Sequence, residues 1–318
     1  MIPMALNNDD KAFLKDVVWG LKQNQKQLAC KYFYNERGSK LFDAICLLEE
    51  YYPTRTETAL LKTYGKEIAS YIGPEVCLIE YGCGSLVKTR ILIDALERPC
   101  LFIPIDISEE HLLRASQNLA SQYHELEILP HVADFTKPMV LPKQARYKNI
   151  KCVGFFPGST IGNFSPSEAI KFLKGMAKTI GQGGGLLIGV DMKKDEKILV
   201  QAYDDNSGVT ASFNLNLIER INQELGGNFD VSAFKHKANY NNIKGRIELF
   251  LVSLKKQTVR IQNFEFSFEK NETIHTENSY KYHINEFISL AERAGFFTIK
   301  TWVDEKNLFS LHYLKTGA

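Results

Sequence analysis

The chain has 318 residues, 44% of them apolar and 24% charged, with 39 basic against 37 acidic side chains and a formal net charge of +2. This composition excludes a disordered or fibrous chain and indicates a globular protein of one large or two ordinary domains, because single cores stop growing at roughly 250–300 residues. No basic block accompanies the small surplus, which argues against a nucleic-acid partner, and no apolar run approaches the ~20 residues that cross a bilayer.

The opening "MIPMALNNDDKAFLKD" has neither an apolar signal core nor Arg-rich transit character, so the cytoplasm is the expected location. Residues 1–55 read as helical and aromatic-rich, through "KYFYNERGSKLFDAICLLEEYYP". Short apolar runs then alternate with amphipathic stretches. "VCLIEYG" (76–82) precedes "VKTRILIDALE", and "CLFIPIDI" (100–107) precedes "SEEHLLRASQNLASQY", with Ser108 as N-cap and Glu109 and Glu110 in the first turn. A third strand is expected in "LEILPHVADF" (126–135), and a fourth in "KCVGFFPGS" (151–159) ahead of the helix-like "PSEAIKFLKGMAKTI". A fifth is expected in "LLIGVDM" (186–192), after the turn "GQGGG". Residues 194–228 again read as helical, followed by strand-like "GRIELFLVSL" (245–254) and "FEFSFEKNETIHTE". A last helix, "INEFISLAERAG", leads to "FTIKTWV" and "LFSLHYL", which complete the sheet as an antiparallel pair.

Continuously apolar strands alternating with helices predict a parallel sheet covered on both faces, an α/β doubly wound, Rossmann-like fold. The expected division is a core of 56–193 and 286–318 and a second, discontinuous domain of 1–55 and 194–285. The six cysteines form no CxxC pair and read as reduced, mostly buried thiols; the seven histidines show no HxH or HxxxH spacing, so no metal site is expected.

The stretch "IEYGCGSLVKTR" (79–90) carries the first chemistry. Gly82 and Gly84 let backbone turn sharply beyond the carboxyl end of a strand, where ligands of such sheets bind. The dinucleotide fingerprint would place a third glycine at position 87, where Val87 stands, and there is no GxxxxGK[ST] loop. At the end of the second strand Asp106 can accept both hydroxyls of a ribose. At the end of the third, Asp134 can accept from an exocyclic amine and Phe135 can cover an adenine face. Each alone reads as a cap or turn residue; the three in order fit S-adenosylmethionine (SAM) better than a nicotinamide dinucleotide.

On "YFYNERGSKLFDAI", "EEYYPTRTE", "EYGCGSLVKTR", "GSTIGNF" (158–164), "QAYDDNSGVTASFN" (201–214) and "TENSYKY" (276–282), the chain resembles the SAM-dependent histidine-specific N-alpha-methyltransferases of ergothioneine biosynthesis, nearly end to end. The resemblance implies a class I methyltransferase sheet in which Gly82, Lys88, Asp106, Asp134 and Phe135 contact SAM. It implies a substrate site of Tyr51, Asn163, Tyr203, Glu277 and Ser279, with L-histidine as substrate, three successive methylations and hercynine as product. Fungal relatives methylate a prenylated tryptophan, so a tryptophan-like substrate is the alternative. Cys83, in place of a serine, Val87, and Leu249, in place of a methionine, depart from the family pattern.

The chemistry gives these residues separate tasks. Glu277 and Ser279, two apart on an extended segment, share a face; a carboxylate there can accept from an imidazole N–H while the hydroxyl donates to the other nitrogen. Asn163 and the Tyr203 hydroxyl suit a carboxylate. Aromatic walls suit the quaternary product, and Tyr34, Tyr51, Phe155 and Phe156 are the candidates, with at least one of the phenylalanines read as a buried strand end. Tyr34 either orders a water that removes the amine proton or is a packed aromatic. No side chain is assigned as a catalytic base, and a monomer is expected. Other readings are a silent SAM-binding protein, against which both residue sets stand, and a dehydrogenase, which Val87 opposes.

Overall fold

The computed structural model describes residues 8–84, 86–137, 139–147 and 150–317; residues 1–7, part of the opening stretch read above, lie outside these. The chain forms two compact units, Met1–Tyr51 with Asp195–Ser279 and Tyr52–Lys194 with Tyr280–Ala318.

The second of these, the core unit, holds strands β1 (Cys77–Tyr81), β2 (Leu101–Asp106), β3 (Glu127–Ile128 with His131–Val132), β4 (Cys152–Phe156), β5 (Gly185–Asp191), β6 (Phe296–Val303) and β7 (Phe309–Thr316). Their order is β6-β7-β5-β4-β1-β2-β3. All run parallel except β7, which pairs antiparallel with both β5 and β6. Alternate residues of β1 serve opposite faces. Leu78 joins Leu61, Ile68, Leu92 and Phe309, whereas Ile79 and Tyr81 join Leu173, Met176, Phe287 and Leu290. Helices Tyr52–Ile72 and Val87–Ala95 pack together, as do Pro166–Ile180 and Ile284–Arg293. Burial on both faces is why the strands read as unbroken apolar runs.

One local expectation is corrected, and another holds in position but not in its bonding. The third strand splits at Pro130, which has no N–H for the ladder. Ser108 stands at the N-cap of the helix Glu109–Ala120 without a side-chain cap bond; its own N–H instead donates to Asp106 Oδ1 at 3.0 Å.

Three side chains at the ends of the core unit's two segments gather on one carboxylate. Asp191, fully buried at the end of β5, accepts from Tyr52 OH (2.8 Å), Lys194 Nζ (2.5 Å) and Lys281 Nζ (2.6 Å). Burial opposes its ionisation, but the two ammonium groups outweigh this and hold its carboxyl below the usual range. Burial draws Lys194 down to about 8 despite Asp191.

The other unit is built on a sheet ordered Lys26–Gln27, Thr273–Tyr280, Arg246–Ser253, Phe234–Asn241, beside the hairpin of Gln257–Ile261 and Phe264–Phe268. Its helices Glu36–Leu47 and Val209–Leu225 pack on each other. Strand Phe234–Asn241 went unread because "FKHKANYN" is only half buried and carries no clean alternation. Leu249, one of the family departures, is a buried core residue whose carbonyl accepts from Thr276 Oγ1.

Candidate active site

In the core unit the candidate donor residues stand at successive strand ends and are held by their own loops. Gly82 follows β1 at φ +76°, tied to the end of β2 by its N–H to Ile105 O (2.8 Å). A Cβ at this glycine would lie 3.3 Å from Phe135 Cε1, so bare backbone and an aromatic ring sit side by side. Asp106 is half buried at the end of β2, and Cys83 Sγ lies 3.9 Å from its Oδ2. Asp134 closes a turn in which Thr136 donates to its Oδ1 through both N–H and hydroxyl. Phe135 packs edge-on to Tyr81 and Phe156, with centroids 6.4 and 5.9 Å away. Lys88, in the first turn of the following helix, donates to Glu57 Oε2 at 2.6 Å. Bare backbone, an acid at the second strand end and an aromatic beside the loop suit, in turn, the close approach, ribose and adenine of SAM. Among the described residues no acidic, cysteine and histidine cluster could hold a metal.

Phe155 and Phe156 are both fully buried, so neither is a wall of a cation pocket; they lie on opposite faces of the sheet core. Asn163 ends a short 3₁₀ turn, Thr160–Asn163, after β4.

In the other unit, five expected residues come together from distant segments. Tyr203 OH and Ser279 Oγ are 2.9 Å apart, and both residues are buried. Tyr51 packs edge-on to Tyr203 (5.9 Å) and Phe42 (6.3 Å), and Tyr34 edge-on to Phe42 (5.7 Å). Burial first, then the neighbouring Tyr203, Cys46, Tyr34 and Glu277, holds the Tyr51 phenol well above its ordinary value. Tyr51 therefore stays a neutral hydroxyl. Glu277 is half buried, and its negative charge is also felt at Cys30, whose thiol burial raises to about 12.

Sequence reasoning missed two supports. His236 Nε2 lies 2.8 Å from the Tyr203 carbonyl and donates to it, while its Nδ1 accepts from Asn214 Nδ2 at 2.8 Å. Burial lowers its pKa, which keeps that neutral tautomer. The other is Glu57, a carboxylate on the buried stripe Pro53, Glu57, Leu60, Leu61, Ile68 and Ile72 of its helix. An acid at an apolar-stripe position was the available signal.

The seven-strand order with one reversed strand, together with these strand-end groups, defines a Rossmann-like nucleoside-binding enzyme. Over residues 13–316 the chain matches the family described as histidine-specific, SAM-dependent methyltransferase. A histidine N-alpha-methyltransferase of Mycolicibacterium smegmatis is 37% identical over 314 residues, covering 97% of this chain and 96% of that one. One of Mycobacterium tuberculosis is 38% identical over 306 residues, covering 94% of each. An ergothioneine biosynthesis protein 1 of Neurospora crassa is 31% identical over 305 residues, which is 92% of this chain and 33% of that longer protein. The chain belongs to the family of histidine-specific, SAM-dependent methyltransferases.

Proposed function

We propose that the protein methylates the α-amine of L-histidine three times in succession, giving hercynine (N-alpha-trimethylhistidine) for ergothioneine biosynthesis, and that it acts as a cytoplasmic monomer. The core unit is read as the binding site for SAM, through Gly82, Lys88, Asp106, Asp134 and Phe135. The other unit is read as the substrate unit. The donor supplies an electrophilic methyl group on a sulfonium.

The observation that carries the substrate reading is the hydroxyl pair of Tyr203 with Ser279, the latter on the strand that also bears Glu277. Either hydroxyl can donate in this pair; with Tyr203 assigned as the donor, the Ser279 proton is given to an imidazole nitrogen, and Glu277, two residues back on the same face, accepts from the imidazole N–H. Tyr203 then serves the side-chain end of the substrate rather than its carboxylate, a change from the role its donor chemistry suggested. Asn163 remains the proposed carboxylate donor.

The amine must be neutral to attack. Tyr51, a weakly acidic phenol, accepts from and orients it instead of acting as an anionic base. Alignment supplies much of the acceleration, since fixed geometry reaches effective molarities of roughly 10⁵–10⁸ M. The later products carry fewer N–H groups, and the rings of Tyr34 and Tyr51 suit the growing cation.

Calorimetric titration with L-histidine, L-tryptophan, histamine and N,N-dimethylhistidine, followed by mass spectrometry after adding SAM, tests this reading. Histidine binding, rejection of histamine and a gain of three methyl groups are expected. Tryptophan binding without histidine binding would overturn the substrate and leave the family standing.

A further inference from the structure

The chain's "EEYYPTRTE" motif ends in Glu57, to which the reading above gives no task. Its side chain is fully buried in the core unit, at the meeting point of three strand ends. Oε2 accepts from Lys88 Nζ at 2.6 Å, in the helix after β1, and from the Gly158 N–H at 2.8 Å, in the loop after β4. Oε1 is buried without a hydrogen-bond partner and lies 2.0 Å from where a Cβ on Gly189, in β5, would stand. Burying a carboxylate this deeply costs several kcal/mol unless it is paired, so a fold needing only to fill this space would use an apolar residue. What the carboxylate adds is direction: it fixes a flexible lysine against a positive-φ glycine loop, Gly158 at φ +77°. One of the three Lys88 N–H bonds points at Glu57, leaving the others a defined direction.

We propose that Glu57 is a positioning residue of the methyl-donor site, holding Lys88 and the Gly158 turn in the geometry that receives the carboxylate of SAM's methionyl group, and that Gly189 is glycine to leave room for it. This rests on the reading that Lys88 contacts SAM.

The test compares Glu57→Gln, Gly189→Ala, Lys88→Met and the double variant Lys88→Met/Glu57→Gln by SAM titration, by KM for SAM and for histidine, and by Tm. Glu57→Gln keeps the side chain's volume. Gly189→Ala pushes the carboxylate aside from behind without touching any group that faces the ligand. The double variant removes both charges, so no lone buried carboxylate remains. Expected is a tenfold or greater loss of SAM affinity in each single variant, with KM for histidine within twofold of wild type. Glu57→Gln should add nothing further on the Lys88→Met background, because both act through one group. A merely structural role would lower Tm and leave the split between the two KM values unmoved; that result in Glu57→Gln or Gly189→Ala, with SAM affinity lost in Lys88→Met, overturns the inference alone. Unchanged SAM affinity in Lys88→Met overturns the Lys88 assignment and the inference with it.

Discussion

The two units assemble their candidate sites in opposite ways. In the core unit, Lys88 on Glu57 apart, the groups are held by nearby backbone: Asp106 by Ser108 N–H, Asp134 by Thr136, and Gly82 by the end of the adjoining strand. In the other unit they arrive from segments far apart in sequence, and side chains hold one another: Tyr203 and Ser279 bond across 76 residues, and Tyr51 packs on Tyr203. A site of the first kind is set by backbone and should lose ligand, not fold, when a side chain is truncated. A site of the second kind should respond to each partner's loss through its neighbours.

The largest expected effect tests the core unit. Asp106→Ala removes the proposed charged acceptor for two ribose hydroxyls, each such bond contributing about 1.5–3 kcal/mol, so SAM affinity should fall about 10²–10⁴-fold. Tm should stay within a few degrees, because the Gly82 turn is tied by backbone. Titration calorimetry checks the affinity and thermal scanning the fold; unchanged affinity would move the ribose elsewhere.

Asp191→Asn tests where the core unit does depend on a side-chain cluster. It leaves Lys194 and Lys281 buried without their counter-charge, and breaking a buried pair costs about 3–5 kcal/mol. Urea denaturation should show that loss. Hydrogen exchange should place the loosening around Tyr52, Lys194 and Lys281, the three ends that meet there. Intact stability would mean the cluster is as well served by an amide.

For the other unit, Glu277→Ala should raise KM for histidine about 10–150-fold, the equivalent of one charge-assisted bond, with KM for SAM unchanged. A parallel rise in both would mean that Glu277 supports the fold rather than the imidazole.

The same contrast explains what could be read from the chain. The sheet was legible because burial on both faces writes itself as runs such as "VCLIEYG" and "CLFIPIDI", and the donor groups because strand ends are positions along the chain. The substrate groups were not derivable that way. Nothing local to Tyr203 announces Ser279, and only the resemblance brought them to one page. Phe155 and Phe156 were read partly as pocket walls because an aromatic at a strand end looks the same whether it faces a ligand or the core; both are buried in the core, one on each face of the sheet. Glu57 was hidden for the opposite reason, since a charged residue in a helix reads as solvated until its stripe is counted.

The smallest expected effect separates two buried titrating groups of the core sheet. His312, on β7, is fully buried between Ser310 Oγ (2.9 Å) and Thr301 Oγ1 (3.1 Å), and burial draws it down to about 3. Below its ordinary 6.5 the unfolded chain takes a proton that the folded one refuses, so this group makes stability fall as pH drops from 6.5 toward 3. Glu80, on β1, is pushed up to about 8 by burial, against the Thr89 hydroxyl that donates to it at 2.6 Å. Here the folded chain keeps a proton that the unfolded one sheds above 4.5, so stability is lost as pH rises from 4.5 through 8. Between pH 5 and 6.5 the two slopes have opposite sign and similar size, about 1.4 kcal/mol per pH unit each, and largely cancel. Urea denaturation at pH 5, 6, 7 and 8 should therefore find these two contributions nearly flat in the wild type up to about pH 6.5 and declining from there to pH 8, where Glu80 alone still acts. His312→Gln should expose a stability that declines with rising pH, and Glu80→Gln one that climbs by about 2 kcal/mol between pH 5 and 6.5. If Glu80→Gln followed the wild-type curve, Glu80 would be ionised in the folded core, and Lys88, the cation nearest to it in effect, would then have to serve it as well as Glu57.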